Sequence, residues 1–243
     1  AVRCNCARDA CLARRRSGQE FAKSENSVLI TSRIHHRSFE EGLAYMLTDE
    51  KQTEIDTADS RRLRLSTVVI SIAMAMILKL MGQPLWCKCG RLSPWSWDIW
   101  SSHNSQHFID PYSFTHVLHG VILCGVLYWL SRGVPETTRF LVAVVLEASW
   151  EILENTPTII ERYRAATISK DYFGDSVMNS VGDLIACMAG YLLARRLGFR
   201  ASVVFFLLTE MILLLTIRDS LLLNVLMLIW PLEAVKHWQI GAT

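Results

Sequence analysis

The sequence predicts an all-α membrane protein, a polytopic helical bundle of about five to six transmembrane helices behind a disordered or weakly helical N-terminal tail. Three observations carry this prediction. Of the 243 residues, 51% are hydrophobic, and mean hydropathy is +0.25. From Ser66 onward the chain is a succession of apolar runs near the roughly 17–25 residues that a spanning helix needs. Charge is unevenly divided: residues 1–65 hold 12 of the 25 Lys and Arg and 10 of the 23 Asp and Glu. A soluble bundle would need a polar stripe along every helix, and the last two runs lack one. The net charge of +2 leaves no nucleic-acid footprint.

The chain divides into a polar tail, residues 1–62, and a membrane domain, residues 63–240. In the tail, Arg14, Arg15 and Arg16 are followed by no apolar core, so this is not a signal peptide. Cys4, Cys6 and Cys11 have no second ligand pair to complete a zinc site, and His35 and His36 read as solvated. Met46 is a candidate later start.

Six apolar segments follow. The first is Ser66–Met81, preceded by Arg61, Arg62 and Arg64. The second is about Phe114–Leu130, the third about Phe140–Asn155, and the fourth about Ser176–Ala194, closed by Arg195 and Arg196. The fifth is about Ala201–Ile217, and the sixth about Leu221–Val235, where Trp230 and Pro231 predict a kinked or partial span. A cytoplasmic N-terminus puts nine basic residues inside (Arg132, Arg139 and Lys236 among them) against six outside, a positive-inside bias. It also sets Trp86, Trp95, Trp97 and Trp100 at the outer interface. Lys79 is expected to snorkel, and Glu233 to pair with Lys236 near the inner face.

Threaded this way, the polar residues inside the runs fall at the outer ends of four helices. Glu147, Glu151 and Glu154 share one helix face, as do Asp175, Asn179 and Asp183, and His116 and His119 are i, i+3 neighbours. A charged group at membrane depth costs roughly 2.5–3.5 kcal/mol on insertion scales, so three such stripes are best buried against one another. Asp175 or Ser176 is a candidate N-cap after Gly174. The outer loops add His103, Asn104, Ser105, His107, Asp110, Tyr112, Arg162, Tyr163, Arg164, Asp171 and Tyr172.

The stretches CKCG (87–90), NSQH (104–107), HVLHG (116–120), EASWEILENTP (147–157), ERYRAATISKDYFGDSVMNS (161–180) and IRDSLLLNVLMLIWPLEAVKHWQ (217–239) carry a resemblance. Over roughly residues 63–240 the chain resembles a family of bacterial, mostly alphaproteobacterial, multi-pass inner-membrane proteins that is defined as a domain of unknown function. The resemblance implies a plasma-membrane location and a compact multi-helix domain, and carries no activity, substrate or site with it.

Three functional readings fit the residues. One is a membrane-embedded hydrolase or transferase at the outer leaflet. There His116, His119 and one of Glu147, Glu151 or Asp183, Glu147 being the first choice, hold a metal such as zinc, while Glu151, Glu154, Asp175, Asn179 and Asp183 supply acid–base groups. Arg162, Arg164 and Tyr172 would hold the substrate. The second is an ion-coupled carrier using Glu147, Asp183 and Glu210, although no inverted repeat is visible. The third is a buried packing network, or a platform for another membrane protein. Beyond the lipid bilayer, no partner is indicated. Cys87 and Cys89, a C-x-C pair, are open to oxidation or metal binding, while Cys124 and Cys187 read as apolar filler.

Overall fold

The computed structural model describes residues 60–167 and 171–241. The expectations for Cys4, Cys6, Cys11, Arg14–Arg16, His35, His36 and Met46 lie outside these residues. The chain divides after Arg61, and the fold below is that of the second unit.

The described residues form seven helices and no strand beyond an isolated bridge between Trp95 and Ile109. They are α1 (Ser60–Leu80), α2 (Ser113–Leu130), α3 (Glu136–Glu154), α4 (Pro157–Ala166), α5 (Val177–Ile217), α6 (Leu221–Ile229) and α7 (Glu233–Ile240). Local chemistry explains their ends. Asp110 Oδ1 accepts from the backbone N–H groups of Tyr112 and Ser113 at 2.8 and 3.2 Å, satisfying donors at the mouth of α2. Pro157 opens α4, where no amide hydrogen is needed. Of the two cap candidates Ser176 takes the role, its Oγ accepting from Asn179 N at 3.1 Å.

The fourth and fifth apolar runs form one 41-residue element, α5, bent at Gly198. There φ is 73°, a conformation open to glycine and strained for residues with a Cβ. The sixth run is not one helix over Leu221–Val235, and this corrects the expected span. Pro231 ends α6 after nine residues, and the chain restarts as the amphipathic α7. The loop expected at 156–176 contains α4.

Three helices, α1, α2 and α5, are long and apolar enough to cross a membrane. Their apolar side chains point mostly outward: Val68, Val69, Ile72 and Met76 on α1, and Val204, Leu207, Leu208, Met211 and Leu215 on the second arm of α5 are all exposed. Water does not tolerate such surfaces and lipid does. The protein is a membrane protein. α3 has the length but is amphipathic, exposing Val142, Val145 and Leu146 while burying Glu147 and Glu151.

The core joins Met74 and Leu78 of α1, Val144 and Ala148 of α3, and Val177 and Leu184 of α5. α2 and α5 meet backbone to backbone. A Cβ on Gly120 would strike Cys187 O and Tyr191 N, and one on Gly190 would strike Val117 O. Small residues permit this close approach, as in membrane helix pairs generally.

Hydrogen bonds gather the helix ends. Val177 N donates to Pro84 O, Ser176 N to Ser105 O, and Tyr112 OH to Asp219 Oδ2 (2.9, 2.9 and 3.2 Å). These bonds collect the end of α1, the starts of α2 and α5, and the α5–α6 turn. At the opposite end of α3, Glu136 pairs with Arg139 at 2.6 Å and lies 3.8 Å from Arg195. Trp95, Trp97 and Trp100 are exposed on the α1–α2 loop. Lys79 reaches Gln83 O at 3.4 Å, and Lys236 donates to Ala165 O at 2.8 Å.

Candidate metal and acid–base site

α2 and α3 present their polar stripes to each other. Glu147 is buried between both imidazoles, with Oε1 2.6 Å from His116 Nδ1 and 3.1 Å from His119 Nδ1. Glu151, one turn on, has Oε1 3.2 Å from the same His116 nitrogen. His116 and His119 are stacked edge to face at 4.9 Å, and Trp150 closes against His119 at 6.1 Å. α5 joins through Asp183, whose Oδ1 accepts from Ser113 Oγ at 2.6 Å.

The set fits a divalent ion. Zinc bonds of about 2.0–2.1 Å to nitrogen and oxygen, arranged tetrahedrally, space the ligand atoms by about 3.3 Å. The imidazole–carboxylate separations here are 2.6, 3.1 and 3.2 Å. His116, Glu151 and Glu154 form a second, overlapping set. Metal-free, the Nδ1–H protons bridge to Glu147; with an ion in place, the same nitrogens offer lone pairs.

A cavity of about 60 Å³ adjoins this cluster, enough for a few waters or a metal-bound water and a small polar group. Its walls include His116, His119, Glu154, Tyr163, Tyr172, Asp175, Asn179 and Asp183, with Leu221, Val225 and Leu228 of α6 on one side. Among the described residues, no Lys or Arg lines it. Glu151 Oε1 and Glu154 Oε2 are buried and, apart from the approach of His116 to Glu151, have no hydrogen-bond partner among the described residues. Several carboxyl groups and two imidazoles converge here, the ligand types that hold a divalent cation.

At the mouth, burial pushes the Asp175 carboxyl up to about 7, against a 3.0 Å hydrogen bond from Tyr172 OH and with the Asp110 carboxylate adding to the rise. Burial likewise raises Asp110, opposed by the N–H groups of Ser105, Tyr112 and Ser113. Burial and then the neighbouring carboxylates hold the Tyr163 and Tyr172 phenols well above their ordinary value, so both remain hydrogen-bond donors.

Residues 78–241 match the family described as "Protein of unknown function (DUF2585)". The chain belongs to the DUF2585 family. It is 49% identical to a UPF0314 protein of Rhizobium meliloti over 68% of this chain and 84% of the relative. UPF0314 proteins of Paracoccus denitrificans (44% identical, 72% of this chain and 90% of the relative) and Sphingopyxis alaskensis (45%, 69% and 89%) are similar. These relatives are alphaproteobacterial, as the resemblance in the sequence implied. No solved structure matches.

In this DUF2585 chain the residues singled out from sequence fall into two groups. His116, His119, Glu147, Glu151, Glu154, Asp175, Asn179, Asp183 and Tyr172 surround one cavity or the carboxylate beside it. Arg162 instead donates to Leu228 O at 2.7 Å, and Arg164 Nε to Tyr172 O, so both guanidinium groups brace α4. Glu210 accepts from Leu221 N and Leu222 N at 2.9 and 3.2 Å and caps α6. Sequence reasoning passed over Asn155 and Ser113. Asn155 accepts from Asp175 N at 2.7 Å and donates to its Oδ2 at 3.1 Å. Its position four residues beyond Glu151, on the same stripe, was the available signal.

Proposed function

We propose that this protein is a multi-pass inner-membrane hydrolase or transferase that uses a metal ion held by His116, His119 and Glu147. The convergence of two imidazoles and one buried carboxylate at metal-ligand spacing, beside a cavity, carries this reading. α1, α2, α3 and the two arms of α5 make five crossings, with α6 as a partial one. A cytoplasmic N-terminus sets the site towards the outer leaflet.

His116, His119 and Glu147 would hold the ion and leave one position for water, and the ion would supply Lewis acidity to that water. Glu151 and Glu154, whose free oxygens face the cluster, take and return the proton. Asp183, fixed by Ser113, and Asn179 hold the wall of the cavity, and Asp175 with Tyr172 offers a proton at its mouth. With no Lys or Arg in the lining among the described residues, the site suits a neutral ester or amide linkage over a phosphate. The apolar flank of Leu221, Val225 and Leu228 suits the attached hydrocarbon. In place of the substrate contact expected for them, we assign Arg162 the positioning of this flank through Leu228 O, and Arg164 the positioning of the Tyr172 segment. A carrier is less well supported, because Glu210 is committed to the α6 N-terminus.

The test is metal analysis of the full-length protein, purified in detergent and reconstituted with zinc. His116→Ala and Glu147→Gln are expected to lose one equivalent that Glu151→Gln keeps. In vesicles of phosphatidylethanolamine and phosphatidylglycerol, free fatty acid is the activity readout. If the His116 and Glu147 variants retain full metal and differ only in melting temperature, the cluster is a packing network.

A further inference from the structure

The α1–α2 loop carries a second cluster of ligating side chains that the proposed reaction does not use. Cys87, Cys89, His103 and His107 each present one ligand atom, and the four atoms lie within 4.8 Å of one another. Both cysteines are free thiols. Cys87 Sγ is 3.2 Å from His103 Nδ1, and Cys89 Sγ is 3.8 Å from His107 Nε2. A tetrahedral zinc with bonds of about 2.3 Å to sulfur and about 2.0–2.1 Å to nitrogen spaces its sulfur and nitrogen ligands by about 3.5 Å. The observed separations bracket that value.

The surroundings are those of a coordination site. His107 Nδ1 lies 2.6 Å from Ser93 O, which places the proton on Nδ1 and leaves the Nε2 lone pair facing Cys89. The backbone N–H of Arg91 points at Cys89 Sγ at 3.4 Å, a contact that favours a thiolate. Gly90, at φ +68°, lets the chain turn back after Cys89, with Gly90 N donating to Cys87 O at 3.2 Å. The two cysteines thereby sit on one tight turn, and the two histidines come from a segment more than a dozen residues later.

We propose that Cys87, Cys89, His103 and His107 bind a zinc ion as a closed structural site. Two thiolates and two imidazoles form a complete four-ligand set, with no position left for substrate water. The ion cross-links the loop that walls the membrane cavity. His107 O accepts from Asn179 Nδ2 at 2.8 Å, Gln106 O accepts from Ser176 Oγ at 3.0 Å, and Asn104 and Ser105 line the cavity itself. The metal therefore fixes the loop against the start of α5. This inference is independent of the proposed hydrolase, since no ligand is shared.

The full-length protein in detergent, loaded with cobalt in place of zinc, tests it without any substitution. Thiolate-to-cobalt charge-transfer bands with tetrahedral ligand-field bands are expected, and their absence overturns the assignment. By metal analysis, C87S and C89S are each expected to lose one zinc equivalent that His116→Ala retains. A thiol-specific mercurial should release that equivalent from the unaltered protein. Full zinc in C87S and C89S would also overturn the proposal, whereas loss of metal in His116→Ala alone bears only on the membrane site.

Discussion

The two His-containing clusters of this molecule differ in ligand chemistry and in closure. The membrane cluster offers two imidazoles and a carboxylate beside a cavity, with the carboxyl groups of Glu151 and Glu154 nearby. The loop cluster offers two thiols and two imidazoles and is complete in itself. Hard oxygen ligands with a remaining coordination position suit reaction, and soft sulfur ligands with none suit cross-linking. Their neighbours differ accordingly. Glu147 faces the imidazoles of His116 and His119, whereas Cys89 faces a backbone amide and His107 a backbone carbonyl.

The comparison breaks most readily at Glu151. If the membrane cluster is the reactive one, Glu151→Gln lowers turnover by about 10²–10⁴-fold while both metals stay bound, measured as fatty-acid release alongside metal content. Equal turnover in the variant would move the reaction elsewhere.

Asp175 gives the next effect. Its folded-state pKa, about 7, lies above the ordinary carboxylate value of 3.8. Protonated Asp175 therefore favours the folded state. That contribution is fully present below about pH 4 and is lost as pH rises through about 7, in total a few kcal/mol. The melting temperature of metal-stripped protein should fall between pH 5 and pH 8. Asp175→Asn should make that slope shallower, with Asp219, raised by burial to about 6, supplying part of what remains.

Gly120→Ala sharpens the contrast at a cost of about 1–3 kcal/mol, because the new methyl meets the α5 backbone. Forcing α2 from α5 displaces His116 and His119 but not Cys87 or Cys89. The membrane metal is then expected to bind more weakly and the loop metal to be unchanged, as read by competition with a chelator. The smallest effect is at the α5 cap: Ser176→Ala should cost about 1 kcal/mol in thermal unfolding, with both metals retained.

Much of the membrane cluster was legible because helical periodicity is local. Glu147, Glu151 and Glu154 occupy one face wherever α3 packs, and a face of acids within an apolar run has few places to go. The loop cluster was legible only as a C-x-C pair. Cys87 and His103 are 16 residues apart through irregular backbone, and no period links them. The breaks at Gly198 and Pro231 were only partly readable. Pro231 announces its own effect, whereas a glycine permits a bend without requiring one.

The sequence by itself determined that the chain enters a membrane, which helices carry the acids and imidazoles, and which face of each helix they occupy. These follow from hydropathy and the 3.6-residue repeat, properties of short stretches of chain. Only the tertiary structure decided that Glu147 lies between His116 and His119, that Glu210, Arg162 and Arg164 are engaged with backbone, and that His103 and His107 meet the C-x-C turn. Those pairings depend on how closely helices approach and where loops return. That is settled by packing at Gly120 and Gly190 and by hydrogen bonds between distant segments, which no local pattern encodes.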